Sequence, residues 1–135
     1  MTHIKVPAVQ AKLRKAEQDF RHVIILASAG WGKTAAVTHY YRNRSVLWLS
    51  GSDGSLNQMP PQEKIRQGIV VIDNLSWLTD PDSENYILTL LKSVERQVVL
   101  IGRGHFPGWL THAALDLNLM RIQEGDFLFT PPLMT

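Results

Sequence analysis

Two periodicities divide the apolar positions of this chain. Over residues 8–20, Val9, Leu13, Ala16 and Phe20 fall on one stripe, with Lys12, Lys15 and Asp19 off it. That spacing predicts an amphipathic helix with Phe20 on its buried face. His22 to Ala27 (HVIILA) is instead a continuous, β-branched apolar run, the pattern of a strand covered on both faces. Lys33 to about Arg42 reads as a helix after a glycine-bearing turn, and Ser45 to Ser50 (SVLWLS) as a second strand. Gly51 to Pro61, rich in Gly, Ser, Asn and Pro, reads as a loop.

The alternation then repeats. Gly68 to Asp73 (GIVVID) is a buried-strand run. Asp80-Pro81 suits an N-cap and first helical residue, opening a helix with Tyr86, Ile87, Leu90, Leu91 and Val94 at helical spacing. Gln97 to Gly102 (QVVLIG) predicts a fourth strand, Leu117 to Ile122 a fifth, and Trp109 to Ala114 a short helix between them. Solid apolar strands alternating with helices imply a parallel sheet with helices on both faces, hence an α/β fold. In such sheets ligands sit beyond the carboxyl ends of the strands.

Composition narrows the class. At 135 residues there is room for one compact domain, and 44% hydrophobic against 19% charged residues suits a globular chain. Cysteine is absent, which excludes disulfides and thiolate metal sites. No apolar run approaches the length of a bilayer span, and Met1 to Val9 lacks the apolar core of a signal peptide. The expectation is a cytoplasmic protein with no membrane partner. A net charge of +2, from bases interleaved with acids (Lys12, Arg14, Arg21, Arg42, Arg44, Lys64 and Arg66 among them), reads as a solvated surface.

Candidate chemistry follows the strand ends. Ala27-Ser28-Ala29-Gly30-Trp31-Gly32-Lys33-Thr34 fits the P-loop, or Walker A, pattern, with alanine replacing its first glycine. Small residues let backbone N–H groups curl around phosphate oxygens, while the following helix contributes its positive end. Lys33 reaches the β- and γ-phosphates and the Thr34 hydroxyl holds Mg²⁺. The bland alternative is an ordinary strand–turn–helix corner. Trp31 either shields the phosphates or packs nearby. Ile69 to Asp73 ends in the aspartate that orders the magnesium shell in P-loop proteins; a buried strand can also end in Asp as a simple turn residue.

The position after that aspartate is Asn74, which orients a water but accepts no proton, so hydrolysis is expected to be slow or absent. Asp82 and Glu84 are possible substitutes, though nothing in the spacing favours either. Arg103 ends the Val98–Gly102 run, where it is expected to sense γ-phosphate charge, the alternative being a surface arginine. The catalytic candidates are thus Asp73, Asn74 and Arg103. His105 is close by in a loop; His22, His39 and His112 show no metal-ligand spacing. Glu124 and Asp126 are expected to cap or salt-bridge a turn.

Taken in order, four stretches resemble the nucleotide-binding domain of the large ATP-dependent LuxR-type transcription regulators, the maltose-regulator-like group of STAND NTPases. These are Val6-Pro7 with its helix, VIILASAGWGKT, SVLWLS, and LIGRGHFPGWL followed by LMRIQEGDFLFT. The resemblance implies a three-layer P-loop NTPase sheet of the additional-strand type, with the Gln97–Gly102 strand between the P-loop strand and the Gly68–Asp73 strand. Arg103 then stands near the γ-phosphate. It also implies ATP rather than GTP, and self-association in the ATP-bound state. Asn74 departs from that family, which usually has a second Asp there. On this reading residues 1–135 are a single domain, the amino-terminal piece of a much larger regulator. Its partners are the downstream domains, and it binds no DNA by itself.

The function expected is an ATP- and magnesium-binding signalling switch with weak or no hydrolysis. The alternative is a small P-loop kinase or phosphotransferase acting on a metabolite, although Gly104 to His112 is poor in the Arg and Lys that a phosphate-covering lid needs. A third possibility is an interaction domain that no longer binds nucleotide.

Overall fold

The computed structural model describes residues 7–27, 32–51, 60, 61, 64–75, 81–93, 95–104, 107–111, 119–123 and 126. In chain order the elements are α1 (Pro7–Gln18), β1 (Val23–Leu26), α2 (Lys33–Tyr40), β2 (Val46–Ser50), β3 (Ile69–Asp73), α3 (Pro81–Leu91), β4 (Gln97–Gly102), a 3₁₀ turn (Gly108–Leu110) and β5 (Met120–Gln123). The strands form one sheet in the order β2-β3-β4-β1-β5, and every pairing is parallel. β4 therefore lies between β1 and β3, as the resemblance implies.

Strand alternation sorts the apolar runs into two layers. Val23, Ile25 and Ala27 share one face with Val99, Ile101, Val71 and Ile122, covered by Val9, Leu13 and Ala16 of α1 and by Ala36 and Val37 of α2. Ile24 and Leu26 share the other with Val70, Ile72, Val98 and Leu100, covered by Ile87, Leu90 and Leu91 of α3. A continuous hydrophobic strand is thus required, because both faces are under helices. Each fully buried Val, Leu or Ile contributes about 1.5–3 kcal/mol of transfer free energy. The ends of α1 and α2 are joined by Glu17, which accepts the Tyr40 hydroxyl at 2.6 Å and pairs with Arg44.

The helix predicted over residues 8–20 stops at Gln18, and Phe20 leaves its stripe. The Phe20 N–H donates to the Glu17 carbonyl and the Arg21 N–H to the Ala16 carbonyl, at 3.2 and 2.8 Å. This pair of bonds is a Schellman C-cap, and it puts Phe20 in the left-handed position at φ 56°. The ring is consequently 92% exposed rather than buried. The third helix likewise stops at Leu91, short of Val94, which is outside the described residues, as is the expected N-cap Asp80. The helix predicted over Trp109–Ala114 is seen as the 3₁₀ turn Gly108–Leu110, with residues 112–118 outside the described set. Pro107 sets its start, since proline cannot donate to a preceding turn. The fifth strand begins at Met120, later than predicted. Among the described residues no helix is long and apolar enough to cross a membrane.

Candidate functional site

The carboxyl ends of β1, β4 and β3 lie side by side, in that order. The register pairs Leu26 with Gly102 and Ile72 with Leu100, and the Ala27 N–H reaches the Gly102 carbonyl at 3.4 Å. Residues Ala27, Arg103 and Asp73, distant in sequence, are therefore brought to the carboxyl end of the sheet's three inner strands.

Of the P-loop pattern, Ala27 and Gly32 to Thr34 are described; Ser28, Ala29, Gly30 and Trp31 lie outside the described residues. Gly32 caps α2 in the left-handed region at φ 75°. There a side chain strains the backbone by about 1–2 kcal/mol, so glycine is the residue the turn demands. Lys33, the first residue of α2, folds back so that its Nζ donates to the Ala27 carbonyl at 2.6 Å. The loop is thus closed at its base by a charge-assisted hydrogen bond. The next residue faces another strand: Thr34 Oγ1 donates to Asp73 Oδ2 at 2.9 Å.

Asp73 is held from both sides. Its Oδ1 accepts the N–H of Asn74 at 2.7 Å, while Oδ2 takes Thr34. Asn74 itself sits at φ 54°, a left-handed conformation that asparagine tolerates better than most residues. Its Nδ2 donates to Ser50 Oγ, at the tip of β2, at 2.9 Å. The register accounts for this contact, since Ser50 is paired with Asp73. A continuous chain of hydrogen bonds therefore runs Ser50–Asn74–Asp73–Thr34 across β2, β3 and the start of α2. Ser50 carries no motif signature, and its part depends on a pairing between residues 24 apart, so inspection of the sequence passes over it.

The donor set suits a hard cation. A threonine hydroxyl and one carboxylate are oxygen ligands, and Mg²⁺ commonly takes one or two carboxylates together with phosphates and waters. Among the described residues no group of three or more His, Cys, Asp or Glu is placed to make a metal cage. An ion here would complete its shell with ligands other than these side chains, such as waters or phosphate oxygens. Arg103 is exposed at the end of β4, immediately before the turn at Gly104. Asp82 and Glu84 belong to the first turn of α3, where acids favour the helix's positive end.

The other candidates have local roles or lie elsewhere. His39 contacts Arg42 through its ring and its carbonyl. Asp126 accepts both the Gln123 N–H and the Lys12 ammonium at 2.9 Å, a turn cap with a salt bridge to α1. His105, His112 and Glu124 are outside the described residues. A cleft of about 610 Å³ opens at the opposite end of the sheet, lined by Phe20, Arg21, His22, Leu91, Arg96 and Gln97 among others. None of the strand-end chemistry faces that cleft.

No protein-family model and no curated protein matches the chain. Among solved structures it is similar to a Pif1 helicase from a study of DNA unwinding at forked duplexes, with a TM-score of 0.57 and 16% identity over 97% of this chain and 46% of that one. It is also similar to a Bacteroides Pif1 bound to single-stranded DNA, with a TM-score of 0.53 and 16% identity over 84% of this chain and 36% of that one. The fold is that of the P-loop NTPases. The chain spans less than half the length of either helicase. At such low identity the likeness is one of fold.

Proposed function

We propose that this chain is an ATP- and magnesium-binding switch domain with slow or no hydrolysis. The observation that carries the reading is the Thr34–Asp73 hydrogen bond at 2.9 Å, which sets the P-loop helix against the tip of β3. With ATP bound, backbone N–H groups of Ser28 to Gly32 cradle the phosphates, and Lys33 exchanges the Ala27 carbonyl for phosphate oxygens. Thr34 ligates the ion, and Asp73 orients the waters of its shell. Arg103 sits against γ-phosphate charge. A magnesium ion held there would supply charge neutralisation to the phosphates. Asn74 leaves the attacking water without a proton acceptor, which is why turnover is slow.

The order of the motifs and the resemblance to the LuxR-type regulators support placing this switch at the amino end of a larger cytoplasmic transcription regulator, with self-association and downstream domains as its output. Nucleotide affinity is expected to be micromolar or weaker, about −8 kcal/mol or less favourable. Calorimetric titration with ATP and Mg²⁺, beside a Lys33→Ala control and a phosphate-release assay, tests the reading. Binding lost in the control, with little phosphate released, is the expected result; ATP bound equally by both proteins would sink it. The similarity to Pif1 helicases over 97% of the chain motivates a second reading, a motor domain coupled to DNA. Stimulation of phosphate release by single-stranded DNA would favour that one.

A further inference from the structure

Phe20 is unfavourable twice over where it stands. Its backbone is left-handed at φ 56°, a conformation that glycine or asparagine adopts with less strain. Its ring is 92% exposed, and among the described residues it is the one large apolar side chain left in solvent. The chain thus accepts strain at this position and recovers no packing from it. Strain retained in this way points to a contact that the domain does not make with itself.

The ring borders the cleft of about 610 Å³ at the amino end of the sheet. That volume is within the range of small-molecule sites. The turns after α1 and α3 bring three cations to its walls, Arg21, Lys92 and Arg96, against the carboxylates of Glu17 and Glu95. Glu17 is already engaged by Arg44 and by the Tyr40 hydroxyl, neither of which lines the cleft. The charge facing the cleft is therefore positive in balance. Backbone carbonyls fix two of the cations, Leu119 holding Arg21 at 3.1 Å and Ile65 holding Arg96 at 3.3 Å. Gln97 accepts the Tyr41 hydroxyl and donates to the Arg21 carbonyl, while His22 accepts the Val98 N–H. These neutral groups are spent on the protein, so a ligand's charge is met by the cations and its apolar surface by Phe20.

We infer that this cleft binds a small planar aromatic anion, stacked on Phe20 with its acidic group among Arg21, Lys92 and Arg96. Offset stacking covers the exposed ring, and a guanidinium suits a planar carboxylate or a phosphate. The inference is independent of the nucleotide-binding reading, because Lys33, Thr34 and Asp73 stand at the other end of the strands.

The test titrates the parent chain with anilinonaphthalenesulfonate, an aromatic anion that fluoresces when its rings leave water, and with the same ring system lacking the sulfonate. Phe20→Gly removes the ring at a position that glycine favours, so its unfolding midpoint should be at or above the parent's. Lys92→Gln removes one cation, and Phe20→Trp keeps a stacking surface. Saturable binding to the parent is expected, at least about tenfold weaker for Phe20→Gly and for the uncharged analogue. Lys92→Gln should weaken it about threefold, and Phe20→Trp should stay within about threefold of the parent. Saturating Mg-ATP should leave the probe in place. Equal affinity in Phe20→Gly overturns the site, as does equal binding of the uncharged analogue or the absence of saturable binding to the parent. Displacement of the probe by Mg-ATP overturns it too, since the anion is then at the strand-end site.

Discussion

The imidazole of His22 accepts the backbone N–H of Val98 through Nδ1 at 2.9 Å, so a side chain completes the hydrogen bonding at the amino end of β4. The ring is further bonded to backbone at Leu91 and Ser93, which links the end of α3 to the sheet. A nitrogen that accepts a hydrogen bond cannot carry a proton, and the ring is 7% exposed. Burial accordingly holds its pKa below the usual histidine value, against an upward pull from the two backbone partners.

Stability is expected to fall in mild acid for this reason. With the folded-state pKa depressed, the unfolded chain binds the extra proton. The His22 contribution is therefore complete above about pH 6.5 and is lost as pH drops through the lower folded-state value. Urea unfolding between about pH 8 and pH 5 reads this out. His22→Gln keeps an uncharged acceptor and should show a shallower decline; an unchanged slope would place the acid sensitivity elsewhere.

Phe20 occupies a position that favours glycine, at φ 56° and with its ring in solvent. Phe20→Gly or Phe20→Asn should stabilise the chain by about 1 kcal/mol, since the strained backbone is relieved without loss of packing. A rise in the urea midpoint at constant m-value is the expected observation. A fall would mean that the ring has contacts that its exposure does not suggest.

Asp73→Asn should weaken Mg-ATP binding at least about tenfold, about 1.4 kcal/mol, while affinity for ATP without metal changes little. The amide keeps an acceptor for Thr34 but removes the charge that orders the ion's shell. Equal losses with and without magnesium would mean that Asp73 serves only the fold.

Ile101 is fully buried in β4, between the helices and both neighbouring strands. Ile101→Ala should cost about 2–5 kcal/mol through lost transfer energy and the cavity left behind. Val46→Ala, on the half-buried edge strand β2, should cost clearly less.

Most of this architecture is legible in the residues because it rests on local pattern. Continuous apolar runs mark β1, β3 and β4, and nothing but cover on both faces makes such runs stable. Lys33, Thr34 and Asp73 stand out through the chemistry phosphate binding demands. Phe20 misleads because the helical stripe extends one residue past the C-cap; the period of α1 predicts burial, and a single left-handed residue cancels it. The Ser50–Asn74 contact is illegible for another reason. It depends on which strands are neighbours and in what register, and no window along the chain contains that information.

The position of β4 bears on how the chain is made. Among the described residues β2 pairs only with β3, and β1 pairs with β4 and β5, so β4 joins the two parts of the sheet. During synthesis β1 leaves the ribosome long before either of its partners exists. At about 5–20 residues per second, the stretch from Ala27 to Gln97 keeps Val-Ile-Ile-Leu without a neighbouring strand for several seconds. The nascent chain thus carries one of its most aggregation-prone segments bare until the central strand arrives. The order of synthesis thus leaves that strand exposed to other chains for longer than any other part of the sheet's centre.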